Sequence, residues 1–461
     1  MRSVVFSAVC GAVCAAAHGP LDGAETPSPL PLPQTAANSW AAGPSGAPAR
    51  LPPPTDEIPL QLPTSVRPGE TPWQLSELEE LAQQANPAVA RAAALAAAAR
   101  GAWLQAGLPP NPTAGYVSSE VGNDGRAGQQ GVYFGQEFVR GNKLGLSRAV
   151  EDREVARLIQ EWEVARLRVI TDVRLRYYEA LVAQRLLEVT GQLRETSEAA
   201  VRAAQALLAA GEGRRTDLLQ AEVEAQRAAV RRQQAQVASD AARRRLAAVV
   251  AAGPLGERRL EGELIPPLWT SDWNATLAQL LATSPEIAAA TAAVQRAERV
   301  VQRERVQPIP NIDAQGLVQY DYGSEYAIAG VQAGLALPIW NRNQGGVQRA
   351  QAELIAARRN LERVELGLQE RLAQAWSQYE QARARVEALE RGMLQRSAES
   401  LTLVRRGYEA GEISYVELLT AQRTAFETNL EYLEAVGELN AGLQLLRGNL
   451  LFDSLGAETA P

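Results

Sequence analysis

Apolar positions recur at alternating spacings of three and four along much of this chain. Leu354, Ala357, Leu361, Val364 and Leu368 form one such row, and Ile170, Val173, Tyr177 and Ala180 form another. Held over several heptads, this spacing predicts long helices with a narrow coiled-coil seam. No proline interrupts residues 113–253 or 339–460. Uninterrupted stretches of about 45 residues, roughly 70 Å long at 1.5 Å per residue, are expected there.

The period changes between the helical stretches. From Asn311 to Gly323, Ile312, Ala314, Gly316, Val318, Tyr320 and Tyr322 alternate with Asn311, Asp313, Gln315, Gln319 and Asp321, broken only by Leu317. The stretch from Tyr326 continues with Val331, Ala333, Leu335 and Leu337 on one face. Segments starting at Thr113 and Gly131 repeat the pattern earlier in the chain. Period two predicts strands, so hairpins are expected at about 112–139 and 310–338. Strands of about ten residues with one apolar face and aromatics near their ends match the signature of an outer-membrane barrel. A small soluble hairpin packed on the helices is the alternative. Four strands cannot close a membrane barrel around a pore, whereas three chains would supply twelve, so the barrel reading carries a homotrimer with it.

The whole layout occurs twice. Gly211 falls on Gly411, Leu218 and Leu219 on Leu418 and Leu419, Asp217 on Glu417, Pro87 on Pro285, and Arg148 on Arg349. A period this long marks a duplicated half rather than a solenoid of many units. The first repeat is placed at 73–253, an inter-repeat linker at 254–273, the second repeat at 274–452, and a tail at 453–461.

Composition adds exclusions. The chain has 461 residues, 46% hydrophobic but only 5% aromatic, a net charge of −7 and a pI near 5.3. An acidic chain of this kind offers nucleic acid no electrostatic footprint. Its cysteines are Cys10 and Cys14, its one histidine is His18, and Met393 is the one methionine besides the initiator. Residues 1–17, with one arginine, an apolar run and a string of alanines, read as a secretory signal. Lipidation at Cys10 or Cys14 stays open, although valine precedes each where a small residue is wanted. Once that segment is removed, the chain has no thiol or imidazole for a zinc or copper site or for nucleophilic catalysis. No enzyme, cofactor or resident metal is expected. Residues 18–72 hold 14 of the 26 prolines and read as a disordered leader.

The duplicated layout, the Asn86-Pro87 and Pro110-Asn111-Pro112 marks, the two hairpins and the two Gly-x6-Leu-Leu stretches resemble the TolC-type outer-membrane efflux factors from 73 to 452. Residues 127–144 and 337–354 are similar to the CzcC-like, heavy-metal branch. The resemblance implies a mainly α fold with a β-barrel part: helical hairpins forming an α-barrel in the periplasm, continuing into a twelve-stranded barrel in outer-membrane lipid. It also implies a periplasmic adaptor and an inner-membrane pump as partners, and no catalysed reaction.

By the same resemblance, the repeated stretches are helix-to-helix tips that dock the adaptor. Gly211, Thr216, Leu218 and Leu219 form one tip, and Gly411, Ser414, Leu418 and Leu419 the other, with Thr216 and Ser414 as available helix caps. Asp217 and Tyr408 match the family's closing latch, and Glu417 matches one position of its acidic ring. The next ring position is Thr420, and the latch arginine is replaced by Ile413, so part of that network is absent. The function these residues imply is a passive, cation-tolerant exit duct of a tripartite efflux system, with heavy-metal cations as candidate cargo. Alternatives are the exit component of type I protein secretion and a soluble periplasmic coiled-coil scaffold.

Overall fold

The computed structural model describes residues 72–456, apart from 123, 124, 126, 212, 257, 410 and 411. The expected signal, Cys10, Cys14, the leader, Gly411 and the end of the tail therefore lie outside the described residues. Helices α1 (Leu75–Ala85) and α2 (Pro87–Ala106) lead to strands β1 (Thr113–Ser119) and β2 (Gln129–Phe138), then to helices α3 (Lys143–Ala209) and α4 (Arg215–Val250). The order then recurs. Helices α5 (Trp273–Thr283) and α6 (Pro285–Val306) lead to β3 (Ile312–Asp321) and β4 (Tyr326–Gly334), then α7 (Gln344–Ala388), a π-turn (Leu389–Met393), α8 (Leu394–Glu409) and α9 (Tyr415–Arg447).

Helix α3 runs for 67 residues, well beyond the expected 45. Its length follows from proline-free sequence and a seam that never lapses: Val169, Val173 and Tyr177 are buried against α1 and α4. The second repeat differs. Its long helix is broken by the π-turn, and Leu389 is the last residue of the central core on that helix before the tip. A π-turn adds one residue to a helical turn and rotates everything beyond it.

The sheet has order β1-β2-β3-β4, all antiparallel. Register puts Tyr116 opposite Val132, Val132 opposite Val318, Phe134 opposite Gly316, and Gly316 opposite Val331. Cross-strand partners share a face, so Tyr116, Val132, Phe134, Val318, Tyr320 and Val331 form one apolar face, and all are exposed. The other face carries Glu137, Asp313 and Asp321, the charged residues of the four strands. The expected alternation from Ile312 onward is thus observed. Each strand pair passes into its long helix through an asparagine in the left-handed region, Asn142 (φ 53°) and Asn343 (φ 59°), a conformation asparagine tolerates better than most residues.

The linker is fastened to both repeats by equivalent tyrosines. Tyr177 on α3 donates its hydroxyl hydrogen bond to the carbonyl of Glu261, and the Tyr379 hydroxyl on α7 accepts the N–H of Trp269 at 3.0 Å. No single described helix is long and apolar enough to cross a membrane, although the bent pair α5–α6 passes that test jointly.

Candidate functional site

Helix α3 ends by a left-handed glycine turn. Gly211 has φ +78°, and the N–H groups of Gly211 and Gly213 bond the carbonyls of Leu208 (3.1 Å) and Leu207 (3.0 Å). This satisfies the last carbonyls of the helix while reversing the chain, and a side chain at 211 would be strained. Helix α4 then starts without a side-chain cap, because its N-cap is Arg214. Thr216 is not a cap. It sits inside the first turn and bonds Asp217 at 3.4 Å. In the second tip, Ser414 is the cap and accepts the N–H of Glu417 at 3.4 Å. Glu417 is exposed in the first turn of α9, where a carboxylate faces the positive end of the helix dipole.

The two tips are packed together. Ala204, Ala221, Tyr415 and Leu418 form a buried cluster with Leu218, Leu401, Val404 and Tyr408 against it. Leu418 is buried and Leu218 half-buried, whereas Leu219 is exposed, so the leading leucine of each pair fills the cluster. The rings of Tyr408 and Tyr415 meet at 5.9 Å. Burial raises the Tyr408 phenol above its usual range and the charge of Asp217 adds to that rise, so Asp217 and Tyr408 lie within electrostatic reach. Burial likewise pushes Tyr415 up to about 12, with the neighbouring Tyr408, Glu224 and Asp217 adding to it.

Two contacts escaped the sequence reading. Arg423 of α9 ion-pairs with Glu224 of α4, a carboxylate only 14% exposed that also holds Arg227 at 2.7 Å. Arg231 stacks on Phe426 with its guanidinium 4.8 Å from the ring centre. Both cross between hairpins that are two hundred positions apart in sequence. Ile413, in place of the expected arginine, folds over Gly407, where an added Cβ would lie 2.5 Å from its Cδ1. That position seals α8 instead of reaching across to α4.

Residues 276–449 match the Outer membrane efflux protein family. The second repeat is an outer membrane efflux protein domain. Over 388 residues the chain is 24% identical to the cobalt-zinc-cadmium resistance protein CzcC of Cupriavidus metallidurans, covering 82% of this chain and 90% of that protein. Its fold is similar to that of the outer membrane protein VceC of Vibrio cholerae, with a TM-score of 0.67 at 19% identity over 82% of this chain and 96% of that one. The open-state MtrE outer membrane channel of Neisseria gonorrhoeae gives 0.68 at 21% identity, covering 84% and 91%. The repeated helical hairpins flanking a four-stranded sheet are the TolC-type channel fold.

Proposed function

We propose that the chain is the outer-membrane exit duct of a tripartite efflux system, working as a homotrimer with a twelve-stranded barrel in the membrane and its helices in the periplasm. The observation that carries this reading is that every contact between the two repeats inside one chain has an unfilled counterpart at the chain's edges. Strand β2 pairs with β3 inside the chain, and the equivalent strands β4 and β1 are the open edges of the sheet. Helix α3 packs on α6 inside the chain. The equivalent helices α7 and α2 instead expose Ile355 and Leu366, and Leu95 and Leu104. Helix α3 also packs on α9, and the equivalent partner of α8 is α4, whose Leu219, Val223, Val230 and Val237 form an exposed seam at coiled-coil spacing.

Joining each open edge to its counterpart on the next copy makes a head-to-tail ring. Three copies give twelve strands, enough to enclose a lumen where eight would be filled by side chains. The apolar face, with Trp340 86% exposed just beyond β4, then meets lipid. The charged face lines the bore, and its carboxylates favour cations. Similarity to a cobalt-zinc-cadmium resistance protein supports divalent metal ions as cargo. The packed tips, with Asp217, Tyr408 and Glu417, form the periplasmic gate, and the leucine pairs beside Gly211 and Gly411 dock a periplasmic adaptor that joins the duct to an inner-membrane pump.

The test is a cross-link at the proposed seam. The internal register sets Gly135 opposite Gln315. Carrying Gly131 onto Gly330 and Pro112 onto Pro310 converts that pair to Gly334 opposite Val117 of the next copy, which puts Ser118 beside Ala333. With Cys10 and Cys14 replaced by alanine, Ser118→Cys plus Ala333→Cys should oxidise to a ladder ending at three copies. Monomer alone, from protein extracted from outer membranes, would contradict the ring.

A further inference from the structure

On the charged face of the sheet, large side chains stand opposite glycines. Tyr133 pairs with Gly115, Gln319 with Gly131, Gln315 with Gly135, and Leu317 with Gly330. A Cβ added to Gly115 would lie 2.6 Å from Cε1, Cζ and Oη of Tyr133, so the outer half of that ring covers the Gly115 backbone. Leu317 covers Gly330 in the same way, at 3.2 Å. Strand side chains ordinarily stand away from the sheet, and on this face that direction is the lumen. Only glycine leaves room for the neighbouring side chain to lie down.

We infer that Tyr133 sets the bore of the barrel at its level, and that Gly115 keeps it wide by letting the ring lie flat. The inference rests on the duct reading above. Away from the strand ends Tyr133 is the one aromatic residue on this face, and a ring of three copies repeats its effect three times. The residue pair therefore governs which solute sizes pass the barrel, independently of the gate at the helical tips.

The experiment uses the full chain carrying Asp217→Ala and Tyr408→Phe, so that the tips do not limit flow. Open-channel conductance in planar bilayers and the size of polyethylene glycol that enters the pore are read for this background, for added Gly115→Val, and for Gly115→Val with Tyr133→Ala. Gly115→Val should lower conductance about twofold and reduce the polymer cut-off, and Tyr133→Ala should restore both. Gly115→Ala, which adds one methyl, should give the same ordering in smaller steps and serves if the valine variant fails to assemble. Background conductance retained in both glycine variants, or a loss that Tyr133→Ala does not restore, overturns the role of Tyr133. No conductance in the background itself overturns the duct reading, and this inference with it.

Discussion

Arg423 of the second hairpin is ion-paired with Glu224 of the first, 199 positions away. It is the cross-hairpin charge contact nearest the tips among the described residues, and it lies about two turns up α9 from Ser414. With Ile413 turned back over Gly407, this pair takes up tethering between the hairpins that Ile413 cannot supply. Arg423 is 43% exposed, so the coupling should be modest, about 0.5–1 kcal/mol in a double-mutant cycle. Glu224→Gln should cost more than Arg423→Ala, because Glu224 also holds Arg227. Thermal melts of the two single variants and the double variant measure both quantities.

Three buried phenols should make the protein sensitive to alkali. Tyr177, Tyr415 and Tyr432 are each pushed up to about 12, chiefly by burial, with the Glu390 hydrogen bond contributing at Tyr432. The folded state holds these protons more tightly than the unfolded chain, whose phenols titrate near 10. Their contribution is therefore complete below pH 10 and is lost as pH rises from about 10 to about 12. Spectrophotometric titration should show a late phenolate step that coincides with loss of helical signal, and Tyr415→Phe should shrink that step.

Asp172, a buried carboxylate in the middle of α3, accepts the backbone N–H groups of Asp453 (2.9 Å) and Ser454 (2.5 Å). It ties the end of the second repeat to the first. Asp172→Ala would leave both donors without a partner, at a cost of about 1–3 kcal/mol. Limited proteolysis should then cut after Leu450 faster than in the wild type, and Asp172→Asn, which keeps one acceptor oxygen, should fall between.

Glu137 stands directly opposite Asp313 on the charged face. Like charges paired across strands are unfavourable, so their retention there fits a lumen that handles cations. Glu137→Gln with Asp313→Asn should raise stability slightly and lower cation selectivity, read as a reversal potential that moves toward zero in a salt gradient.

Much of this fold was legible because two periodicities are strong. The seam from Leu354 to Leu368 and the alternation from Ile312 both recur in the structure, since a buried stripe and a two-faced strand constrain residue type at every step. The Gly211 turn was legible because a positive φ selects glycine. The π-turn at Leu389–Met393 was not, because it shifts register by one residue without changing composition. Thr216 read as a cap because its residue type allows it, but the chain places Arg214 at that point and the threonine a turn position later. Arg423 and Glu224 look like ordinary helix-face charges, and only the packing of distant hairpins makes them partners. Trp269 and Trp273, whose role sequence could not reveal, pack into the second core, with Trp273 edge-on to Trp376 at 6.0 Å.

The most direct test is planar-bilayer conductance of the detergent-purified protein. Wild type should give small, cation-selective steps. Tyr408→Phe with Asp217→Ala should enlarge them, and Glu417→Ala should weaken selectivity. Failure of every variant to insert, with a helical species left in the aqueous phase, would contradict the account and leave a soluble scaffold in its place.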